Sequence, residues 1–249
     1  MDKAAAEKDD KPYQPPRSQA GSTPRGWAHI SWSTLWEDFP TTTLAQNLRK
    51  LIADNKDRLC PTPSQVLRAL ELTGVDETMA VVLGQDPYPN PQHACGLAFS
   101  VPKGTRPLPG SLQNIIRAVK EQLGACAVSD GDLAPWAEQG ILLLNTALTT
   151  IVGKPAAHKN CGWEEFVGTL LQRWNRSRAQ NDRRPVLWLL WGRHAQNMAK
   201  DLEIPTFDRV LSSCHPSPLS ASRGGFLSNG HFVKLREFAQ RHYAKELRL

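Results

Sequence analysis

Short apolar runs recur along the chain, and each is broken by a glycine or by a polar residue. Runs of bulky residues of this length are typical of strands that are buried on both faces of a sheet. The pattern predicts strands over 79–83, 141–144, 186–191 and about 206–211.

Between these strands, apolar residues recur at helical spacing. The clearest helix has Ser111 as its N-cap and ends before Gly124. Further helices are predicted near 44–52, 63–70, 133–139, 163–175, 193–200 and 232–247, and the helix over 163–175 is predicted to expose Arg173, Arg176 and Arg178. Strands that alternate with helices indicate an α/β fold: a single domain with a central four-stranded parallel sheet and helices on both faces.

The first 26 residues differ from the rest of the chain, with four prolines, nine charged residues and no Leu, Ile, Val or Phe. Such a segment buries too little apolar area to offset the entropy of ordering it. We expect 1–26 to be a disordered tail without a signal or transit peptide, and 27–249 to be the folded domain.

Composition narrows the class of protein only weakly. The net charge of +6 favours an anionic partner such as nucleic acid, and no apolar run is long enough to span a membrane. No CxxC pair or Cys/His cluster is present, so neither a metal nor another cofactor is expected. The cysteines are odd in number and scattered along the chain, which suggests reduced thiols and a cytoplasmic protein. They are Cys60, Cys95, Cys126, Cys161 and Cys214.

Polar residues follow each predicted strand. The first strand leads into Gln85-Asp86-Pro87-Tyr88, the second into Asn145, the third into Gly192-Arg193 and the fourth into His215-Pro216-Ser217-Pro218-Leu219-Ser220. Any one of these endings could be an ordinary turn or cap. Because parallel strands end at the same edge of a sheet, the four together predict a site there. The reaction stays open at this point.

The same segments carry a resemblance to a known family. Gly84-Gln85-Asp86-Pro87-Tyr88, Gly96-Leu97-Ala98-Phe99-Ser100, Leu142-Leu143-Leu144-Asn145 and His215 to Ser220 resemble the motifs of the major uracil-DNA glycosylase family, in order and spacing. The resemblance spans roughly 35–243. It implies a monofunctional, metal-independent enzyme that hydrolyses the bond between uracil and deoxyribose and initiates base excision repair.

The resemblance also implies a role for each motif residue. Asp86 is expected to stabilise the sugar cation and orient water, and His215 to stabilise the anionic uracil. Uracil recognition falls to Gln85, Tyr88, Phe99 and Asn145; Phe99 alone could equally be a core residue. Leu219 is expected to wedge into the duplex, unless it simply packs beneath its loop. The remaining expected DNA contacts are Pro109, Ser111, Arg193, Ser217 and Ser220.

The chain departs from the family pattern in places. Pro89 and Cys95 stand where histidine is frequent, and Arg193 stands where serine is usual, so Arg193 is either a phosphate contact or a solvated side chain. The segment Ser222-Arg223-Gly224-Gly225 lacks the family's usual histidine and second phenylalanine. Pro89 cannot donate a hydrogen bond, and that contact is therefore lost.

Two alternatives remain: a non-catalytic DNA-binding or processivity subunit on the same fold, and a related glycosylase of different specificity. Asp86, Asn145 and His215 argue against the first, and Tyr88 with Asn145 against the second. The expected partners are single- and double-stranded DNA that contains uracil. A phage-encoded inhibitor that mimics DNA is a further candidate, and the protein is expected to be a monomer.

Overall fold

The computed structural model describes residues 30–181 and 184–249, so the predicted tail over 1–26 lies outside the described residues. The strands are β1 (Leu59–Cys60), β2 (Ala80–Gly84), β3 (Ile141–Asn145), β4 (Thr150–Ile151), β5 (Leu187–Trp191) and β6 (Arg209–Ser213). The α-helices are α1 (Thr43–Asn55), α2 (Arg68–Leu72), α3 (Gly110–Leu123), α4 (Ala134–Glu138), α5 (Trp163–Gln180), α6 (Arg193–Ala199), α7 (Pro218–Gly224) and α8 (His231–Tyr243).

The central sheet has four parallel strands in the order β3-β2-β5-β6, which confirms the predicted fold class. Every residue of β2, β3 and β5 is buried, as expected for strands with both faces covered. Gly84 pairs with Asn145 at the ends of their strands, so the polar segments that follow begin side by side. The short antiparallel pair β1–β4 was not predicted.

The edge strand β6 begins and ends later than predicted. Residues 205–208 form a turn, which the Asp208 N–H closes by donating to the Pro205 carbonyl. Arg209 and Val210 of β6 are exposed, whereas the other edge strand, β3, is buried throughout. Because β6 lacks a continuous apolar run, the hydrophobic pattern located it poorly.

The prediction that Arg178 is exposed on its helix is wrong. Helix α5 continues to Gln180, and the Arg178 side chain is 3% exposed against Asp208. Arg176, predicted to share the exposed face, does point outward, with 58% of its side chain accessible. The helix continues through a polar stretch that looked like its end, because Asn175 and Arg178 are themselves buried there.

Ser111 is not an N-cap. Helix α3 begins at Gly110 with Pro109 as the N-cap residue, and no side chain caps it by a hydrogen bond. Pro109 is the last residue with an extended backbone, with a ψ of 143°, as is typical of an N-cap. Gly110 is therefore the first helical residue, earlier than the sequence predicted. Gly124 ends the helix as predicted, in the left-handed conformation with a φ of 79°.

The segment after His215 is helical, although the sequence suggested a loop. Helix α7 begins at Pro218, and proline is favoured in the first turn of a helix. Within the described residues, no helix is both long and apolar enough to cross a membrane.

Candidate active site

The segments that follow β2 and β3 stay together beyond the strand ends. The N–H groups of Thr146 and Ala147 donate to the carbonyls of Gly84 and Gln85, at 3.0 and 2.8 Å. The Thr146 hydroxyl also donates to the Gln85 carbonyl, at 3.0 Å. These bonds hold the start of the Asp86 loop against the segment that follows Asn145.

Two strand-end positions require glycine because a side chain is packed against them. A Cβ at Gly84 would lie 2.1 Å from Asn145 Oδ1, so any larger residue would displace the amide. At Gly192, whose φ is +90°, a Cβ would lie 2.9 Å from the His215 Cβ. The two glycines thus give Asn145 and His215 their places at the edge of the sheet.

A cavity of about 230 Å³ opens at this edge. Seven of the predicted site residues line it: Gln85, Asp86, Tyr88, Phe99, Ser111, Asn145 and His215. Two hollows elsewhere are larger, at about 370 and 560 Å³, but none of the predicted site residues lines either of them. The volume and the convergent polar groups fit one small ring.

Asp86 is held by a backbone group that the motifs did not indicate. Its Oδ2 accepts a hydrogen bond of 2.7 Å from the N–H of Ala156. Ala156 has a φ of +54°, a left-handed conformation that costs a residue with a Cβ about 1–2 kcal/mol. Strain of this kind is often found at functional sites, where the surrounding structure maintains it. Here it accompanies a fixed orientation of the carboxylate.

The His215 ring has a defined hydrogen-bonding state. Its Nδ1 accepts a hydrogen bond of 3.0 Å from the Ser217 N–H, so a neutral ring carries its hydrogen on Nε2. Burial lowers the pKa of His215, and the nearby His194 lowers it further. The imidazole is therefore a neutral donor at neutral pH.

Tyr88 and Phe99 form one wall of the cavity. The Tyr88 hydroxyl donates to the Phe99 carbonyl at 3.1 Å, and Phe99 has a left-handed φ of +64°. Burial raises the pKa of Tyr88, with a smaller contribution from Cys95, so the hydroxyl stays protonated. The Phe99 ring lies 5.6 Å from Trp191 and 5.8 Å from His215, between centroids. Phe99 is half-buried at the cavity, not enclosed in the core.

His194, the second residue of α6, was not predicted from the sequence. Its Nε2 lies 2.6 Å from the Thr146 hydroxyl. Because that hydroxyl donates to the Gln85 carbonyl, the Nε2 of His194 is the donor in this contact. Burial lowers the pKa of His194, while the carboxylates of Glu164 and Asp86 oppose that shift. Its place directly after Gly192-Arg193, at a strand end already singled out, was a usable signal.

Of the predicted DNA-contacting residues, Ser111 lines the cavity and the others do not. Leu219 is 80% exposed, on the first turn of α7. The Ser217 hydroxyl donates to the Ser220 hydroxyl at 3.3 Å, and Arg193 is exposed at the start of α6.

Comparison with known proteins decides the family. Residues 73–240 match the family model described as the uracil DNA glycosylase superfamily. The uracil-DNA glycosylase of Bacillus cytotoxicus is 40% identical over 204 residues, which is 81% of this chain and 87% of that protein. The chain belongs to the uracil-DNA glycosylase superfamily.

Solved structures of the superfamily share the fold. The mimivirus uracil-DNA glycosylase superposes with a TM-score of 0.76 at 26% identity, covering 88% of this chain and 85% of its own. A variant of the mimivirus protein, solved in complex with UGI, gives a TM-score of 0.73 at 27% identity, covering 87% and 86% of the two chains.

Two departures from the superfamily's common motifs have structural roles here. The Pro89 carbonyl accepts a hydrogen bond of 2.7 Å from the Gly153 N–H, which joins the Asp86 loop to the β4 segment. The Cys95 side chain is buried, burial raises its pKa, and its carbonyl accepts a hydrogen bond of 2.9 Å from Arg68. Across the described ranges, no group of three or more His, Cys, Asp or Glu side chains could hold a metal ion.

Proposed function

We propose that the protein is a uracil-DNA glycosylase of the major family, which releases uracil from DNA and leaves an abasic site. It is a monofunctional hydrolase of the N-glycosidic bond, and this step initiates base excision repair. The observation that carries the proposal is that Asp86, Asn145 and His215, from three distant segments, line one small cavity. Relatives that are about 40% identical over most of the chain bear the same name.

Cleavage of the bond makes the sugar cationic and the departing uracil anionic. The Asp86 carboxylate, oriented by the Ala156 N–H, stabilises the cation and directs the attacking water. The Nε2–H of His215 donates to the uracil O2 as negative charge develops there. A donor that is already in place pays no reorganisation energy when the bond breaks.

Base selection follows from hydrogen-bonding geometry. Uracil presents an N3–H donor beside an O4 acceptor, and cytosine reverses both groups. The Asn145 amide, fixed against Gly84, pairs with uracil and would leave mismatched polar groups with cytosine. Phe99 stacks on the base, Tyr88 occupies the space that the thymine methyl group would need, and the Gln85 backbone also contacts uracil.

The target base reaches the cavity only after it is flipped out of the duplex, at a cost of about a few kcal/mol. Leu219 inserts where the base leaves, and its exposure leaves the side chain available for that role. Ser111, Ser217 and Ser220 grip the phosphates, together with the backbone at Pro109 and with Arg193.

The catalytic domain is proposed to span 27–249, of which the family model covers 73–240. The protein is proposed to act as a monomer, with Asp86, Asn145 and His215 of one chain on a single cavity. A DNA-mimicking inhibitor protein would bind the face that carries Leu219. The cytoplasmic location stays a prediction from the sequence.

The test is release of free uracil from single- and double-stranded oligonucleotides that contain deoxyuridine, in the presence of EDTA. We expect release from both, and none from matched oligonucleotides with thymine or cytosine at that position. Binding without release from either strand form would favour the non-catalytic DNA-binding alternative. Release of thymine or cytosine would favour a glycosylase of different specificity.

A further inference from the structure

The amino end of α3 and the segment after His215 are joined by one side chain. The Asn114 Nδ2 donates to the Pro216 carbonyl at 2.8 Å, across 102 positions of sequence. Asn114 is half-buried and Pro216 is buried. Pro216 lies directly between His215 and Ser217, so this bond fixes the backbone between a proposed catalytic residue and a proposed phosphate contact.

The two elements also pack closely, because the Pro218 ring lies against Gly110. A Cβ at Gly110 would lie 2.7 Å from the Cγ of Pro218, so the first residue of α3 must be glycine for α7 to sit where it does. Ser111 follows Gly110, and Ser217 precedes Pro218. The serines proposed to grip phosphates on α3 and on α7 therefore flank a direct contact between the two helices.

We propose that Asn114 is a positioning residue for uracil excision: it holds the segment 215–220 against α3. This inference rests on the proposed function. The proposed phosphate contacts come from both α3 and the segment 215–220, whereas His215 and Leu219 belong to the segment alone. The distance between α3 and the segment therefore decides whether DNA bound through its phosphates places the base against His215. A misplacement of about 1 Å far from the reacting atoms can cost about a hundredfold in rate.

The same helix offers a matched control in Gln122. Its Nε2 donates to the Leu227 carbonyl at 2.8 Å and to Asn229 Oδ1 at 3.2 Å, and its Oε1 accepts from the Phe232 N–H at 2.9 Å. Gln122 thus ties α3 to the start of α8 by the same kind of amide contact. It lies away from the cavity.

The experiment compares Asn114→Leu with Gln122→Met, two apolar replacements of similar size. Single-turnover rates are measured at saturating DNA and well below both melting temperatures, and DNA affinity is measured separately. We expect Asn114→Leu to lower the saturated rate by roughly ten- to a hundredfold. Gln122→Met should leave that rate within about twofold, although it loses more hydrogen bonds and melts at least as early.

Equal saturated rates in the two variants would overturn the positioning role and leave Asn114 as a structural contact. Absence of uracil release by the unmodified protein would instead overturn the proposed function. If Asn114→Leu does not fold, Asn114→Asp replaces it, because an ionised carboxylate keeps the shape but cannot donate. Its saturated rate should fall similarly at neutral pH; a rate within about twofold of that of the unmodified protein would overturn the role.

Discussion

At the scale of single residues, the site depends on groups whose hydrogen-bonding state is fixed before DNA arrives. The Asp86 carboxylate is held by a backbone N–H, and the His215 ring by another, so neither side chain must reorient during the reaction. A negative charge and a neutral donor on one cavity suit a reaction that separates a cation from an anion.

Asp86→Asn tests the charge at this scale. The amide keeps the shape but carries no negative charge, so the single-turnover rate should fall by at least about 10²–10³-fold. DNA affinity should persist or rise, because a negative charge near the phosphates has been removed. Fluorescence anisotropy with a uracil-containing duplex measures the affinity.

Asp54→Asn is the control for this substitution, since Asp54 is an exposed partner of Lys50 at the end of α1. Its activity should match that of the unmodified protein. Substantial turnover by Asp86→Asn would exclude the proposed role of the carboxylate.

The sequence predicted the side chains of the site better than its backbone groups. Asn145 ends β3, and Asp86 and His215 closely follow β2 and β6, each in a recognisable motif; the sheet then brings them together. The sequence carries no signal for the Ala156 N–H, because every residue except proline has a backbone donor. In the structure, Ala156 donates to Asp86 from a left-handed conformation.

At the scale of elements, α7 presents an apolar side chain to solvent at the edge of the cavity. Leu219 is 80% exposed, the highest value among the exposed large apolar side chains of the described residues. A helix places this side chain more firmly than a loop would, and a firm wedge can hold two bases apart.

Leu219→Ala should reduce excision from duplex DNA by roughly tenfold and leave single-stranded DNA nearly unaffected, because only the duplex must be unstacked. The ratio of kcat/KM for the two substrates is the measurement. Val233→Ala, on the exposed face of α8, should not change that ratio. A similar loss on both strand forms would contradict the wedge.

Helix α8 makes stability depend on pH through its first residue. His231 is buried, and its Nδ1 accepts a hydrogen bond of 3.1 Å from Trp191 Nε1. Burial lowers the pKa of His231 to about 4, with a smaller effect of Lys234. In the unfolded chain the pKa is about 6.5, so between these values the unfolded state binds the proton and the folded state does not.

The free energy of unfolding should therefore fall as the pH drops from about 6.5 towards 4, with a contribution from His231 of about 1–3 kcal/mol. His231→Gln keeps an acceptor for Trp191 but cannot titrate, so its stability should depend less on pH. Urea unfolding across this range measures both proteins. Parallel pH profiles would contradict the assignment.

At the scale of the whole molecule, a buried ion pair stabilises the end of the sheet opposite the cavity. Arg178 donates to both carboxylate oxygens of Asp208, at 2.8 and 2.5 Å. The carboxylate also accepts from the Val186 N–H and from the Trp188 indole. This network ties α5 to the start of β5 and to the turn before β6.

Arg178→Met should lower the free energy of unfolding by about 3–5 kcal/mol, because the charge of Asp208 would be left buried without its partner. Activity well below the melting temperature should be unchanged. Arg176→Met, on the same helix as Arg178, breaks an exposed pair with Glu203 and should cost far less. Urea unfolding would contradict this reasoning if the two variants lost the same stability.

The sequence predicted the order of strands and helices because the buried strands are continuously apolar and the helices between them are amphipathic. It failed where tertiary contacts override the local pattern. Arg178 looked like a surface residue, since nothing in its own helix reveals that Asp208 lies opposite. The helical start of α7 was missed because its composition is that of a loop.

The strand ends that enclose the cavity are supplied by segments from Gly84 to His215, and each holds its neighbour in place. No single fragment of the chain contains all the residues that line the cavity, so no fragment is expected to be active alone. Uracil release should consequently serve as an all-or-none reporter of folding: during refolding from urea, activity should return with the last segment to join the sheet and not before.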